Sequence, residues 1–292
     1  MDNKIKTIFD GDFLNRLQQL SITARVVLQD GTSGNKKSRS KGSSVEFSDY
    51  REYAPGDDFR RIDWNAYARF EKLFVKLFME EKEALVNIFL DVSRSMFWGD
   101  PVKAVSAARL AAALAYISLA GYDRVSLVCV DDGVEGSILS LRGKRSFGRL
   151  LEFLDGVVDL QERKAGKDFS GNMTDLYSPV RDFELKGRGI SILISDFFSG
   201  SPVSEIIRYL QYNRQDVFAC HILAPEELEP SIESGARLDV TATPALARSY
   251  DRMLKKFVSD IEKACFSRGA GYFMMSSAMQ LEHMVKMVVI GR

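Results

Sequence analysis

A chain of 292 residues, 46% hydrophobic, 27% charged and 11% aromatic, with 21 Gly and 7 Pro, has the composition of a folded globular protein; it excludes disorder and collagen-like repeats. Forty Lys plus Arg balance forty Asp plus Glu, so no net field draws the chain to nucleic acid or an anionic membrane, and any recognition is local. At about 100–200 residues per domain, the length suits one large α/β domain with a flanking region, or two smaller domains.

Phe13, Leu14, Leu17 and Leu20 recur at helical spacing near the start. Residues 31–44 then collect Gly, Ser, Lys and Arg with almost nothing apolar, the composition of a flexible basic loop. From Val45 the sequence turns dense and aromatic. Pro55-Gly56 marks a turn, followed by a carboxylate able to cap the segment Phe59 to Arg69. Leu73 to Phe78 and Leu85 to Leu90 read as successive strands.

The second of these strands opens a βαβ unit. A helix is predicted from about Pro101 to Ala120, with Asp100 as N-cap, Pro101 at the first helical position and Gly121 just past the end; a strand over Val125 to Val130 follows. Ile190 to Ile194 and Val217 to Leu223 are short, β-branched and bounded by Gly or charge, as buried parallel strands are. Leu254, Phe257, Val258, Ile261 and Cys265 form a helical stripe, and Tyr272 to Met274 fit a last strand. Residues 85–292 are thus expected to form an α/β domain, a doubly wound, mostly parallel sheet with helices on both faces. Residues 1–84 stand as an N-terminal extension. Such sheets place their sites at the carboxyl ends of strands.

Cys129, Cys220 and Cys265 lie far apart in apolar runs and are odd in number, which disfavours a disulfide framework. Met1 to Lys6 lack the basic-then-apolar pattern of a secretory signal, and the most lipid-like segment, Leu110 to Tyr122, falls short of the ~20 residues of a membrane helix. A cytoplasmic protein without a membrane span is the expectation. His221 and His283, the only histidines, are read as packing residues, so His- or Cys-based zinc sites are not expected. Neither G-x-S-x-G nor G-x-x-x-x-G-K-[ST] occurs, and Met274, Met275, Met279, Met284 and Met287 read as core filler.

Chemistry concentrates where the first core strand ends. Asp91-Val92-Ser93-Arg94-Ser95 offers one carboxylate and two hydroxyls at alternate positions, which share a side of an extended chain and can converge without strain. Oxygen-only donors of this kind suit Mg²⁺, with Mn²⁺ or Ca²⁺ as alternatives. The plainer meaning is that the serines satisfy a turn and Asp91 caps it. Thr174, opening a predicted helix, and Asp196, directly after the strand Ile190 to Ser195, fall on the same sheet edge and add to the first meaning.

The order D-x-S-x-S, T-D-L and a later strand-end Asp resembles the metal-ion-dependent adhesion site of von Willebrand factor type A domains. That resemblance implies that Ser93, Ser95 and Thr174 give hydroxyls to Mg²⁺. It also implies that Asp91 and Asp196 hold the ion's waters and that one position is left for an acidic side chain of a partner. One departure is Phe197-Phe198 where many such domains have Gly.

Upstream, Arg51-Glu52-Tyr53-Ala54-Pro55-Gly56-Asp57-Asp58-Phe59-Arg60-Arg61-Ile62-Asp63-Trp64, then Ala68-Arg69, resembles the signature of the bacterial domain-of-unknown-function 58 family. The resemblance implies a von Willebrand-type domain working beside a MoxR-type AAA+ ATPase, in a chaperone-like or assembly role. Arg51, Arg60, Arg61 and Arg69 against Glu52, Asp57, Asp58 and Asp63 form either an internal ion-pair and capping network or a docking face. The function expected is a non-enzymatic, Mg²⁺-dependent protein-binding module. The alternatives are a Mg²⁺-dependent phosphatase of haloacid-dehalogenase type, with Asp91 as nucleophile, and a metal-free scaffold.

Overall fold

The computed structural model describes residues 8–20, 45–80, 83–165, 174–229 and 244–291. In chain order the elements are α1 (residues 11–20), β1 (Val45–Glu52), α2 (Trp64–Phe70), β2 (Phe74–Glu80), β3 (Leu85–Asp91), α3 (Lys103–Ala120), β4 (Arg124–Val130) and β5 (Val134–Arg142). They continue with α4 (Phe147–Ala165), α5 (Tyr177–Asp182), β6 (Gly189–Ser195), α6 (Val203–Tyr212), β7 (Gln215–Leu223), α7 (Pro225–Leu228), α8 (Pro244–Phe266), β8 (Gly271–Ser276) and α9 (Leu281–Ile290). The described residues of Leu28–Glu83 form one compact unit, and those of Met1–Val27 with Ala84–Arg292 the other.

In the smaller unit β1 pairs antiparallel with β2, from Val45 opposite Glu80 to Glu52 opposite Phe74. Its acids work locally. Asp58 caps a 3-10 turn by accepting from the Arg60 N–H at 3.0 Å, and Asp63 caps α2 by accepting from the Asn65 and Ala66 N–H groups at 2.9 and 3.3 Å. Asp63 also accepts from the Tyr50 hydroxyl at 2.9 Å and pairs with the Lys76 ammonium at 3.1 Å; these two donors pull its carboxyl down to about 2. Arg51 pairs with Asp57 at 2.6 Å. An internal capping and ion-pair network therefore uses much of this charged run. A cavity of about 390 Å³ opens beside α2, lined by Tyr50, Asp63, Ala66, Arg69, Phe70 and Phe74.

The larger unit is built on a six-stranded sheet of order β5-β4-β3-β6-β7-β8. Every neighbouring pair is parallel except β4 with β5, which is antiparallel. Alternation along β3 sends Val86, Ile88 and Leu90 into one buried cluster and Phe89 into the other. The first cluster holds α3, with Phe147, Leu150 and Leu154 of α4 and Met284, Val285 and Val288 of α9. The second holds Ile206, Ile207 and Leu210 of α6, and Ile261 and Cys265 of α8. Helices thus cover both faces. Along α3, Ala104, Ala107, Ala108, Ala111, Ala112 and Ala115 are buried, and their small side chains let the helix lie close against the sheet.

Several expectations need correction. Helix α3 begins at Lys103, two residues after Pro101, and Val102 stands at the N-cap with no side-chain bond. Asp100 is not a cap: its backbone N–H donates to Glu226 Oε1 at 3.2 Å, while the Pro101 carbonyl accepts from Ser277 Oγ at 2.7 Å, which holds Pro101 in the preceding turn. Residues 8–20 do not belong with a separate extension. Phe9, Phe13, Leu17 and Leu20 join the cluster around α3, the Ile8 N–H donates to Asp155 at 3.0 Å and Arg109 donates to the Ile8 carbonyl at 2.9 Å. Leu14, by contrast, faces out of that stripe. Of the two histidines only His221 is buried, and His283 is exposed on α9. Met275 and Met284 fill the core, but Met274 is exposed. Strands β1 and β5 were not expected, and the basic loop at 31–44 lies outside the described residues. Among the described helices α3 alone is long and apolar enough to cross a membrane; it is 67% buried within the unit.

Candidate functional site

Parallel register aligns three strand ends. Strand β3 lies between β4 and β6, with Asp91 opposite Val130 and Leu90 opposite Ile194, so the loops after β3, β4 and β6 leave the same edge. Asp91 closes β3 and is buried. Its Oδ1 accepts from the Ser93 N–H at 2.8 Å and its Oδ2 from the Ser195 hydroxyl, whose Oγ in turn accepts from the Phe197 N–H at 2.7 Å. The Ser93 and Ser95 hydroxyls lie 3.2 Å apart in the following turn.

Asp196 is wholly buried. Its Oδ1 accepts from the Phe198 N–H at 3.0 Å, and its Oδ2 accepts from the Lys103 ammonium at 2.7 Å. The same ammonium donates to Glu227 Oε1 at 2.7 Å, and Glu227 Oε2 accepts from the Ala224 N–H at 2.7 Å. The Phe198 ring lies 5.3 Å from the ammonium. Burial pushes the Asp91 carboxyl up to about 7, and the nearby charge of Asp196 adds to the rise. Burial also raises the Glu227 carboxyl, against the pull of Lys103.

Asp91, Ser93, Ser95 and Asp196 therefore share one neighbourhood. Thr174 lies on the adjoining loop: its carbonyl accepts from Ser199 Oγ at 2.8 Å and from the Gly200 N–H at 2.9 Å, while its side chain bonds Asp131, the residue after β4. These bonds run to the loop beyond Asp196 and to Asp131, not to Ser93 or Ser95. Burial and the neighbouring Asp132 raise the Asp131 carboxyl. Burial works against ionisation of Asp175, but hydroxyls from Ser178 and Ser201 and the Tyr177 and Ser178 N–H groups outweigh it and hold the carboxyl low, at the start of α5.

Phe197 adopts φ 56° and is 2% exposed. The backbone makes the left-handed turn that glycine favours, and the aromatic ring packs at 5.4 Å against His221. Burial takes His221 down to about 4, so it is neutral at pH 7, with Nδ1 2.8 Å from the Tyr272 hydroxyl. Sequence reasoning missed Ser195, Lys103 and Glu227. Only Ser195, beside Asp196, had a local signal; Lys103 and Glu227 lie 93 and 31 positions from Asp196, and nothing near them marks the contact.

The chain belongs to the family described as protein of unknown function DUF58, whose model matches residues 49–263. Uncharacterized protein Rv1480 of Mycobacterium tuberculosis is 24% identical over 271 residues, covering 89% of this chain and 83% of the relative. Uncharacterized protein Mb1516 of Mycobacterium bovis matches to the same extent. The crystal structure of the conserved hypothetical protein BatB from Bacteroides thetaiotaomicron is similar with a TM-score of 0.43 and 16% identity, over 71% of this chain and 97% of that one.

Proposed function

We propose that the strand-end cluster holds one divalent cation, Mg²⁺ first, and that the chain is a non-enzymatic module binding a carboxylate of a protein partner through it. The observation that carries this reading is the local charge. Asp196 and Glu227 share the single ammonium of Lys103 and Asp91 is the electrostatic neighbour of Asp196, so full ionisation of the three carboxyls would leave a formal charge of −2 in a buried setting, and burial raises both Asp91 and Glu227 against it. Uncompensated buried charge is strongly unfavourable, so such a cluster either takes a proton or takes a cation. The donors are hard oxygens throughout, which fits Mg²⁺ better than a transition metal.

In this reading the Ser93, Ser95 and Thr174 hydroxyls are candidates for direct contact. Each oxygen of Asp91 and Asp196 already accepts one hydrogen bond, which suits contact through water. The bound ion would supply an acceptor for an acidic side chain. Nucleophilic use of Asp91, as in a phosphatase, needs a carboxylate oxygen within reach of substrate, and Asp91 is 2% exposed.

The family resemblance further suggests a MoxR-type AAA+ ATPase, or a client of one, as the partner, with the chain as an adaptor in complex assembly. The test is capture from native bacterial lysate with immobilised wild-type and Asp91→Ala protein, in Mg²⁺ and in chelator. Recovery of an AAA+ ATPase or its client by wild type in Mg²⁺ alone supports the reading. Equal recovery under all four conditions overturns it.

A further inference from the structure

Lys103 is the first residue of α3 and is wholly buried. Two forces oppose an ammonium there. Desolvation disfavours the charge, and a helix N-terminus is the unfavourable end of the helix dipole for a cation. The compensation is two contacts of 2.7 Å, to Asp196 Oδ2 and Glu227 Oε1, with the Phe198 ring beside them. Glu227 is itself anchored by the Ala224 N–H, and Asp196 by the Phe198 N–H on its other oxygen. Asp196 is thereby clamped at both oxygens. Asp91, its electrostatic neighbour, receives hydrogen bonds from the Ser93 N–H and the Ser195 hydroxyl, both neutral donors.

We infer that Lys103 is a positioning residue of the strand-end site: held by Glu227, its ammonium fixes the Asp196 carboxylate and sets the local charge to match one divalent ion. This rests on the reading of the cluster as a cation site. With Glu227 ionised, Lys103 and Glu227 together are neutral, and the two aspartates, ionised when the ion binds, balance it. Loss of the lysine charge leaves −3, which favours a trivalent ion; loss of the Glu227 charge leaves −1, because the whole ammonium then falls to Asp196. The double change restores −2.

The test uses full-length, metal-stripped protein titrated with Mg²⁺ and with Tb³⁺, the latter read by its luminescence, for wild type, Lys103→Met, Glu227→Gln and the double variant. Circular dichroism checks the fold of each. Lys103→Met is expected to raise the preference for Tb³⁺ over Mg²⁺ by about tenfold or more, and Glu227→Gln to weaken Mg²⁺ by about tenfold or more. The double variant is expected to return within about threefold of the wild-type preference. A general loss of packing would weaken both ions alike and would not be repaired by a second substitution.

If Lys103→Met does not fold, Glu227→Gln decides alone. Wild-type binding of Mg²⁺ with the single variants within about twofold of it overturns the inference while leaving the cation site standing. Wild-type protein that binds neither ion overturns the cation site itself, and the inference with it.

Discussion

Replacing Asp91 by Asn separates the cost of burying a charge from the cost of losing a side chain. Asp91 is held at about 7 against an ordinary 3.8, by burial first and by Asp196 second. Below about pH 4 the carboxyl is protonated in both folded and unfolded chains, and it contributes nothing to the pH dependence. As pH rises toward 7 the unfolded chain loses the proton while the folded one keeps it, so folding is progressively penalised; above about 7 the penalty is constant. With 1.36 kcal/mol for each pH step, the full effect is at most about 4 kcal/mol.

Asn has nearly the shape of Asp and keeps an acceptor for the Ser93 N–H, and its amide can donate to Ser195 Oγ in place of the bond it now accepts. Metal-stripped Asp91→Asn protein should therefore match wild type in stability near pH 4 and exceed it by about 2–4 kcal/mol at pH 8. Urea denaturation at a series of pH values measures the difference, and taking the difference cancels groups common to both chains. Mg²⁺ should recover wild type at pH 8 and leave the variant unchanged, since a bound ion stabilises only the chain that binds it. A difference that does not vary from pH 4 to 8, or equal recovery of both proteins by Mg²⁺, refutes this electrostatic picture of Asp91.

Phe197→Gly relieves a left-handed turn but removes a buried ring; the turn is worth about 1–2 kcal/mol and the ring about 3–5, so the variant should be less stable by about 2 kcal/mol by urea denaturation. Asp63→Ala should speed amide hydrogen exchange at Asn65 and Ala66 while Ile192 in β6 stays protected. Because the Asp63 carboxyl is held near 2, the protection at Asn65 should be present above the ordinary carboxylate range and lost only as pH falls through about 2. The three thiols are buried, and burial pushes those of Cys220 and Cys265 up to about 12, so none should react with an aromatic disulfide reagent at pH 8 until the chain is denatured.

Strands β3, β4, β6 and β7 were legible because each is a short apolar run buried on both faces and bounded by charge or glycine. Strand β5 was not: it is an edge strand with half its residues exposed, and Gly136 and Ser140 interrupt its pattern. The stripe of α1 was visible, but its partner was not, since its place in the buried cluster around α3 is a property of the assembled sheet. At the site, Asp91, Ser93 and Ser95 announced themselves by alternation on one loop, and Asp196 by following a strand. Nothing local marked Lys103, which lies inside the helix expected from Pro101 to Ala120. Its role depends on Asp196 and Glu227, brought to it by the strand order β3-β6-β7, which no local pattern encodes.

In the proposed reading, buried oxygen donors at the ends of β3 and β6 hold a divalent ion. Calorimetric titration of metal-stripped wild-type protein with Mg²⁺ at pH 8, beside Asp91→Asn and the double variant Ser93→Ala/Ser95→Ala, tests it most directly. One ion bound per wild-type chain, with binding lost in both variants while their circular dichroism is unchanged, is the expected result. No saturable binding to wild type, or binding that survives in both variants, contradicts it.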